Sequence, residues 1–183
     1  MELVQARKYK QYKQMKDLYK EAFPASERKP FWLIRKKQKS GQTNMWCLMD
    51  GQSFVGMAIT MEVEDLVLLD YFAIYREKRG LGYGSKSLEL LKQMYEGKRF
   101  VLEIEDVDSK GPDQEMRRKR KQFYLSNGLS VLGVKVTLYG VDMELLGVNC
   151  KVTFQEYKKI YTTLYGKAPE QFVVLRSENN ANT

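Results

Sequence analysis

The chain has 183 residues, which suits one domain with a single hydrophobic core. Its formal net charge is +8 and its pI is near 9.3, so polyanions are candidate partners. It contains no histidine, which excludes Ser-His-Asp and Cys-His nucleophile systems and leaves acid–base chemistry to other side chains. Cys47 and Cys150 lack Cys-x-x-Cys spacing, so we expect no metal site.

No apolar stretch approaches the roughly 18 residues that a membrane span needs. The N-terminus alternates apolar residues with Lys, Arg and Gln, which is not the pattern of a signal peptide. We therefore expect a cytoplasmic protein without a membrane partner.

The first third of the chain predicts one strand, two helices and a hairpin. Residues 3–6 indicate a short strand, and apolar residues at helical spacing then predict a helix over residues 9–23. A second, short helix begins near Phe31. Residues 45–49 and 54–59 predict two strands joined by an Asp-Gly turn.

Leu66–Ile74 is nearly continuous apolar sequence and predicts a buried central strand. Asp70 is the ionisable residue within this run. An unpaired buried carboxylate is costly, so Asp70 must meet a hydrogen-bond donor, water or a proton. An open cleft would satisfy that need, and a partner side chain would satisfy it equally well.

A glycine-rich loop follows the central strand and leads into a helix. Gly80, Gly82 and Gly84 alternate, and Arg79 adds positive charge. A helix start has unpaired N–H groups and a positive dipole end, and glycine lets phosphate oxygens approach them. The loop therefore predicts a phosphate site. P-loop and dinucleotide motifs each require glycine where Ser85 stands, so neither fits.

The segment Arg79-Gly80-Leu81-Gly82-Tyr83-Gly84 resembles the Arg/Gln-x-x-Gly-x-Gly/Ala loop of the GNAT superfamily of acyl-CoA-dependent N-acyltransferases. In that family the loop holds the coenzyme A pyrophosphate, and the order of predicted elements over residues 1–150 also matches. The resemblance implies a mixed α+β fold with a mostly antiparallel twisted sheet of about six to seven strands flanked by helices. It implies acetyl-CoA contacts along the strand end and the loop, at Phe72, Ala73, Ile74, Arg79, Gly80, Leu81, Gly82, Tyr83, Gly84 and Ser85.

Residues 100–107 predict the next strand, with Glu103 and Glu105 on the same face. Two carboxylates this close can raise the pKa of one of them. Residues 114–127 then predict a helix that contains a five-residue basic run at 117–121. This run could face coenzyme phosphates, nucleic acid or water.

Phe123, Tyr124 and Gly128 resemble the Phe/Leu-Tyr-x-x-x-Gly-Phe pattern that GNAT enzymes often carry on the helix after the fifth strand, with Leu129 in place of Phe. Arg117 stands where the family often has Asn. The resemblance implies that Tyr124 protonates the leaving thiolate.

The same resemblance suggests a general base and an oxyanion donor. Glu103 is our first choice of base, because its flanking residues resemble the Leu-Glu-Val stretch in which some GNAT enzymes keep theirs. Glu105 is the second choice and Asp70 the third. The oxyanion donor is expected on the backbone around residues 72–74.

Residues 131–139 and 142–149 predict a second hairpin, and Thr153 with Glu156 predicts a capped helix start. A short last strand is expected near Phe172. We expect a single domain over residues 1–176, with its core in 1–150, the C-terminal helix and short strand in 153–176, and a disordered tail at 177–183.

Together these features predict an N-acetyltransferase that moves an acetyl group from acetyl-CoA to a primary amine of a small molecule or peptide, using a carboxylate base and a tyrosine acid. One alternative is a nucleic-acid-binding module that uses the basic helix 116–126, and another is an acyl-CoA-binding domain without catalysis. Coenzyme A is itself anionic, so the total charge requires no nucleic acid partner. A homodimer and the identity of the amine stay open.

Overall fold

The computed structural model describes residues 1–109, 113–148 and 150–178. Across these residues the elements, in chain order, are β1 (Glu2–Gln5), α1 (Tyr9–Ala22), α2 (Phe31–Lys39), β2 (Thr43–Asp50), β3 (Ser53–Val63), β4 (Leu66–Ile74), α3 (Tyr83–Met94), β5 (Arg99–Glu105), α4 (Gln114–Ser126), β6 (Ser130–Leu138), β7 (Val141–Val148), α5 (Phe154–Tyr165) and β8 (Val173–Glu178).

The expected mixed α+β class with a mostly antiparallel sheet is confirmed. The described residues form eight strands instead of six to seven, because β8 pairs with β6. That strand includes Ser177 and Glu178, so the boundary expected at residue 176 falls two residues too early. The rest of the expected tail lies outside the described residues.

The chain divides into two compact units. Unit 1 contains Met1–Glu62 and Leu69–Glu96, and unit 2 contains Val63–Leu68 and the described residues from Gly97 onward. The strand order is β1-β2-β3-β4 in unit 1 and β4-β5-β7-β6-β8 in unit 2, where β4 is represented by residues 66–68. A single domain over residues 1–176 stays a prediction.

The core of unit 1 forms where α1 and α2 pack against alternate residues of the β2–β3 hairpin. Met15, Leu18 and Tyr19 recur at helical spacing on α1 and are buried. Met45 pairs with Ile59 in the hairpin register, and both belong to the same cluster. Each fully buried side chain of this size stabilises the fold by about 1.5–3 kcal/mol.

The hairpin turn and a close strand contact both depend on glycine. Asp50 pairs with Ser53, so the turn residues are 51 and 52, one position later than the Asp-Gly signal suggests. Gly51 takes a φ of +56°, which glycine adopts without strain. On β3, a Cβ added at Gly56 would lie 2.5 Å from the Ala73 carbonyl oxygen of β4.

In unit 2, Arg99 joins three segments. Its guanidinium donates to both Asp65 carboxylate oxygens at 2.8 and 2.9 Å, and its Nη1 donates to Glu156 at 2.7 Å. Glu156 also completes the predicted capping box of α5, because it accepts from the Thr153 amide at 2.8 Å. One side chain thus holds β5, the residues before β4 and the start of α5.

Asp106 is a buried carboxylate of unit 2, with 1% of its surface exposed. Burial alone would raise its pKa. Hydrogen bonds from the Asp108 amide at 3.1 Å, from Lys135 at 3.1 Å and from Arg176 at 2.9 Å outweigh burial, so the pKa of Asp106 lies below its ordinary value. Among the described residues, no helix is both long enough and apolar enough to cross a membrane.

Candidate active site

In unit 1, the glycine loop turns the chain from β4 into α3. A short 3-10 turn, Arg76–Lys78, follows the strand, and then Gly80 and Gly82 both take a φ of +79°. Gly82 is the residue that caps the start of α3. A Cβ built at Gly80 or Gly82 would meet nothing within 4 Å, so the space beside the loop is open.

The start of α3 has unsatisfied backbone donors. In the described part of the chain, the amides of residues 80–85 donate no hydrogen bond, and no side chain caps the helix. The first turn also lacks an acidic residue that could neutralise the positive end of the helix dipole. We name residues 79–85 the amide cradle; it offers an anion several N–H donors at once.

Two side chains anchor the amide cradle to its surroundings. Arg79 lies against the end of β4, where its Nε donates to the Ile74 carbonyl at 3.1 Å. Tyr83 donates its hydroxyl proton to Asp50 on β2 at 2.7 Å. Ser85 is exposed on the first turn of α3. The strand residues Ala73 and Ile74 are buried, whereas Phe72 is half-buried.

Asp70 on β4 has the partner side chain that its burial requires. Its Oδ1 lies 2.5 Å from the Lys29 Nζ, and the Asp70 side chain is only 3% exposed. Tyr71 supports this contact, since its hydroxyl accepts from the Lys29 amide at 3.2 Å and donates to the Glu27 carbonyl at 2.8 Å. Of the two arrangements that the sequence left open, the ion pair is the one found.

In unit 2, the Tyr-x-x-x-Gly-Leu pattern forms the C-terminal end of α4. Gly128 takes a φ of +86°, and its amide donates to the Leu125 carbonyl at 3.1 Å. The Leu129 amide donates to the Tyr124 carbonyl at 3.2 Å. These two bonds are a Schellman motif, which explains why glycine and an apolar residue follow the tyrosine. The backbone of Tyr124 is thereby fixed.

The Tyr124 side chain is buried to 9% exposure, beside the Phe123 ring at 5.2 Å. Among the described residues, its hydroxyl makes no hydrogen bond, unlike the hydroxyls of Tyr19, Tyr71, Tyr157 and Tyr161. Burial raises the pKa of Tyr124 to about 12, although Arg120 opposes the shift. The hydroxyl therefore keeps its proton at neutral pH and remains available to donate it.

Glu103 on β5 contacts α5. Its carboxylate accepts from the Tyr157 hydroxyl at 2.5 Å and from the Tyr161 hydroxyl at 2.8 Å. Both tyrosines are fully buried one turn apart on α5. These hydrogen bonds fix the orientation of the carboxylate in unit 2.

Glu105 contacts α4 instead. It lies 2.7 Å from the Arg117 Nε and 3.3 Å from the Arg120 Nη1. Glu103 and Glu105 are therefore directed to different helices, although their spacing puts them on one strand face. Arg117 stands at the position where GNAT enzymes often have asparagine. Here its guanidinium forms an ion pair with Glu105.

No protein-family model matches the chain, and no curated protein matches it. Solved structures do match. A GNAT-family acetyltransferase candidate from Bacteroides thetaiotaomicron has a TM-score of 0.78 and 22% identity over 91% of this chain and 99% of its own. The chain has the GNAT fold.

Two further neighbours share this GNAT fold at lower identity. An aminoglycoside 6'-N-acetyltransferase complexed with coenzyme A gives a TM-score of 0.65 and 13% identity over 84% of this chain and 100% of its own. The ribosomal-protein-S18-alanine N-acetyltransferase from Escherichia coli gives a TM-score of 0.62 and 16% identity over 83% and 95%.

On this GNAT fold, α4 carries far less free charge than its sequence indicates. Arg117 and Arg120 pair with Glu105, as described above. Lys119 pairs with Glu115 at 2.6 Å, and Lys121 pairs with Glu144 at 2.5 Å. Four of the five cations at 117–121 therefore have acidic partners, which disfavours the basic helix 116–126 as a nucleic-acid-binding element.

Sequence reasoning missed the three side chains that hold Asp70 and Glu103. Lys29 is 41 residues from Asp70, and Tyr157 and Tyr161 are 54 and 58 residues from Glu103. The tyrosines follow the apolar spacing of α5, so their sequence pattern is the same as that of ordinary core residues. The signal that could have drawn attention to them is the phenolic hydroxyl itself, which needs a partner when buried.

Proposed function

We propose that this protein is an N-acetyltransferase that transfers the acetyl group of acetyl-CoA to a primary amine of a small molecule or peptide. The observation that carries the proposal is the amide cradle: uncapped amides at residues 80–85, open space beside two left-handed glycines, and the positive end of α3. A pyrophosphate supplies the negative charge and acceptor oxygens that this arrangement lacks. Acetyl-CoA is a common cellular thioester that carries one.

The proposed binding residues are those of the loop and the strand before it. The amides of Gly80, Leu81, Gly82, Tyr83, Gly84 and Ser85 would hold the pyrophosphate, and the backbone of Phe72, Ala73 and Ile74 would contact the acyl end. Arg79 positions the loop by its bond to the β4 carbonyl. Its remaining guanidinium N–H groups add positive charge near the pyrophosphate.

Tyr124 is the proposed general acid. A thiolate leaving group needs a proton, and a phenol that is protonated, buried and without a hydrogen-bond acceptor is suited to supply one. The contrast with the other buried tyrosines supports this role, because their hydroxyls are used in structural bonds.

Glu103 is the proposed general base, acting directly or through water on the ammonium of the acceptor. Asp70 and Glu105 each form an ion pair with a cation, and protonating either would break that pair. Glu103 accepts hydrogen bonds from the phenols of Tyr157 and Tyr161, which orient its carboxylate. Glu105 stays the second choice and Asp70 the third.

The first experiment measures acetyl-CoA binding by calorimetry in wild type and in two matched variants. Gly82→Ala adds a methyl group within the amide cradle, while Gly41→Ala adds one in the loop after α2. Both glycines have nearly equal φ values of +79° and +76° and open surroundings, so both variants carry the same backbone strain. We expect Gly82→Ala to lose at least about tenfold in affinity and Gly41→Ala to keep it.

The second experiment measures thiol release from acetyl-CoA with a panel of amines. Binding with thiol release supports the acetyltransferase, and binding without release from any amine supports the acyl-CoA-binding domain instead. An absence of acetyl-CoA binding in wild type would contradict both proposals. Amines of the panel include an aminoglycoside and a peptide with N-terminal alanine, the acceptor classes in the names of two structural neighbours.

A further inference from the structure

The surplus positive charge of the chain lies in a short part of unit 1. Residues 8–39 contain eleven Lys and Arg residues and three Asp and Glu residues. Their net charge of +8 equals that of the whole chain, so all the other residues together are neutral. This part contains α1 and α2 but not the amide cradle at residues 79–85. The residues of the amide cradle therefore supply none of this surplus charge.

One face of α2 carries several cations beside an exposed indole ring. Trp32, Arg35, Lys36 and Lys39 fall at helical spacing, and all four are exposed. We name these four residues the α2 basic patch. They line a depression of about 260 Å³. Trp32 is 67% exposed, although an apolar side chain of this size is usually buried when it has only a packing role.

The charge of the α2 basic patch is not neutralised within the described chain. α2 contains no acidic residue, and no carboxylate pairs with Arg35, Lys36 or Lys39 in the described ranges. The Arg35 guanidinium lies over the Tyr12 ring, 4.1 Å from its centroid. This contact holds the Arg35 cation on the α1 side of the patch. On α4, by contrast, four cations are paired with acidic side chains.

The chemistry of the patch fits single-stranded nucleic acid better than a lipid surface. A base stacks on an exposed aromatic ring while neighbouring cations contact the phosphates, and each element is present here. An interfacial helix instead inserts a broad apolar face into the bilayer. Within residues 8–39, the large hydrophobic side chains that are exposed are Tyr9 and Trp32.

We propose that the α2 basic patch binds single-stranded nucleic acid, with a base stacked on Trp32 and phosphates at Arg35, Lys36 and Lys39. The total charge of the chain does not by itself require a nucleic acid partner. The concentration of that charge in residues 8–39 is the feature that indicates one. The proposal does not rest on the acetyl transfer proposed above. It would bring the protein to a nucleic acid or to a particle that exposes one.

The test is fluorescence anisotropy with labelled single strands of about 20 nucleotides at about 50 mM salt. One variant combines Arg35→Gln, Lys36→Gln and Lys39→Gln, and another is Trp32→Ala. The matched control removes three exposed cations of unit 2 through Arg118→Gln, Lys151→Gln and Lys167→Gln. Oligo(U) and oligo(dU) are compared, so that the preferred sugar identifies RNA or DNA as the source.

We expect the α2 triple variant to lose at least about tenfold in affinity and the slope of log K against log salt to flatten by about 2, at roughly 0.7 per phosphate contact. Trp32→Ala should lose at least about fivefold, because stacking is lost while charge is kept. The unit 2 control should stay within about twofold of wild type. Far-UV circular dichroism and thermal melting confirm that each variant is folded.

Four results would overturn the proposal. The first is no saturable binding by wild type, and the second is an equal loss in the two triple variants, which would indicate charge alone. The third is displacement of the strand by acetyl-CoA, which would assign the binding to the amide cradle. The fourth is Trp32-dependent binding to vesicles of phosphatidylserine and phosphatidylcholine without oligonucleotide binding, which would assign the surface to a membrane.

Discussion

The Tyr124→Phe variant distinguishes a catalytic role of Tyr124 from a structural one, because it removes the hydroxyl and keeps the ring. The ring stays beside Phe123, and the Schellman bonds use only the backbone of residues 124 to 129. Within the described part of the chain the hydroxyl makes no hydrogen bond, so its removal breaks none. A poorly satisfied buried polar group costs about 1–3 kcal/mol, and the 9% exposure of Tyr124 reduces that penalty. We expect the variant to be as stable as wild type or up to about 1 kcal/mol more stable.

Activity should change far more than stability. A positioned general acid contributes about 10²- to 10⁴-fold, so kcat should fall by that factor, or about 2.7–5.4 kcal/mol of barrier. The affinity for acetyl-CoA should change little, because the amide cradle is intact. The wild-type pKa of about 12 means that Tyr124 itself should not limit kcat at neutral pH.

The assay follows thiol release at saturating acetyl-CoA, with urea unfolding and calorimetry on the same samples. Leu125→Met is the matched control, since it changes a neighbouring side chain of α4 and keeps its volume. An unchanged kcat in Tyr124→Phe would remove the hydroxyl from the reaction. A loss of stability above about 1 kcal/mol would show that the hydroxyl has a structural partner.

Glu103→Gln should lower kcat/KM by about 10²-fold or more and remove the acid limb of its pH profile, and an unaltered profile would transfer the role to another carboxylate. Asp106→Asn should destabilise the protein by about 3 kcal/mol in urea unfolding, whereas Asp108→Asn, at a 78% exposed side chain, should cost under about 1 kcal/mol. Because folding lowers the pKa of Asp106, its contribution is present above about pH 4 and is lost as the pH falls through the native pKa. The stability difference between wild type and Asp106→Asn should therefore shrink in acid, and a difference that stays constant with pH would contradict this. Gly56→Ala should destabilise by about 2–3 kcal/mol, because its Cβ meets a backbone oxygen that cannot move aside, and a value near zero would refute the close contact.

Elements with a strong local pattern could be predicted from the sequence. The apolar run of β4 ends where the strand ends, and the glycine loop, the capping box of α5 and the end of α4 each follow from backbone requirements of a few neighbouring residues. Gly82 and Gly128 are glycine because the chain takes a positive φ at those positions. Such requirements are visible in sequence.

The partners of the candidate carboxylates could not be predicted in the same way. An ion pair such as Lys29 with Asp70 depends on how distant segments fold together, and no local spacing encodes it. For the same reason, a count of cations at residues 117–121 overestimated the free charge of α4. The charge of residues 8–39 was readable from the sequence, but its exposure on one stripe of α2 required the structure.

The contacts of Arg99 bear on where the chain can be divided. Residues 63–68 belong to unit 2, yet in sequence they lie between two segments of unit 1. A fragment that starts at residue 97 would retain Arg99 and Glu156 but lose Asp65, whose two carboxylate oxygens accept hydrogen bonds from the Arg99 guanidinium. No contiguous cut reproduces unit 2. Limited proteolysis between the units should therefore release no autonomous C-terminal fragment, and inserted or permuted termini are better placed in exposed loops such as the one at Gly140.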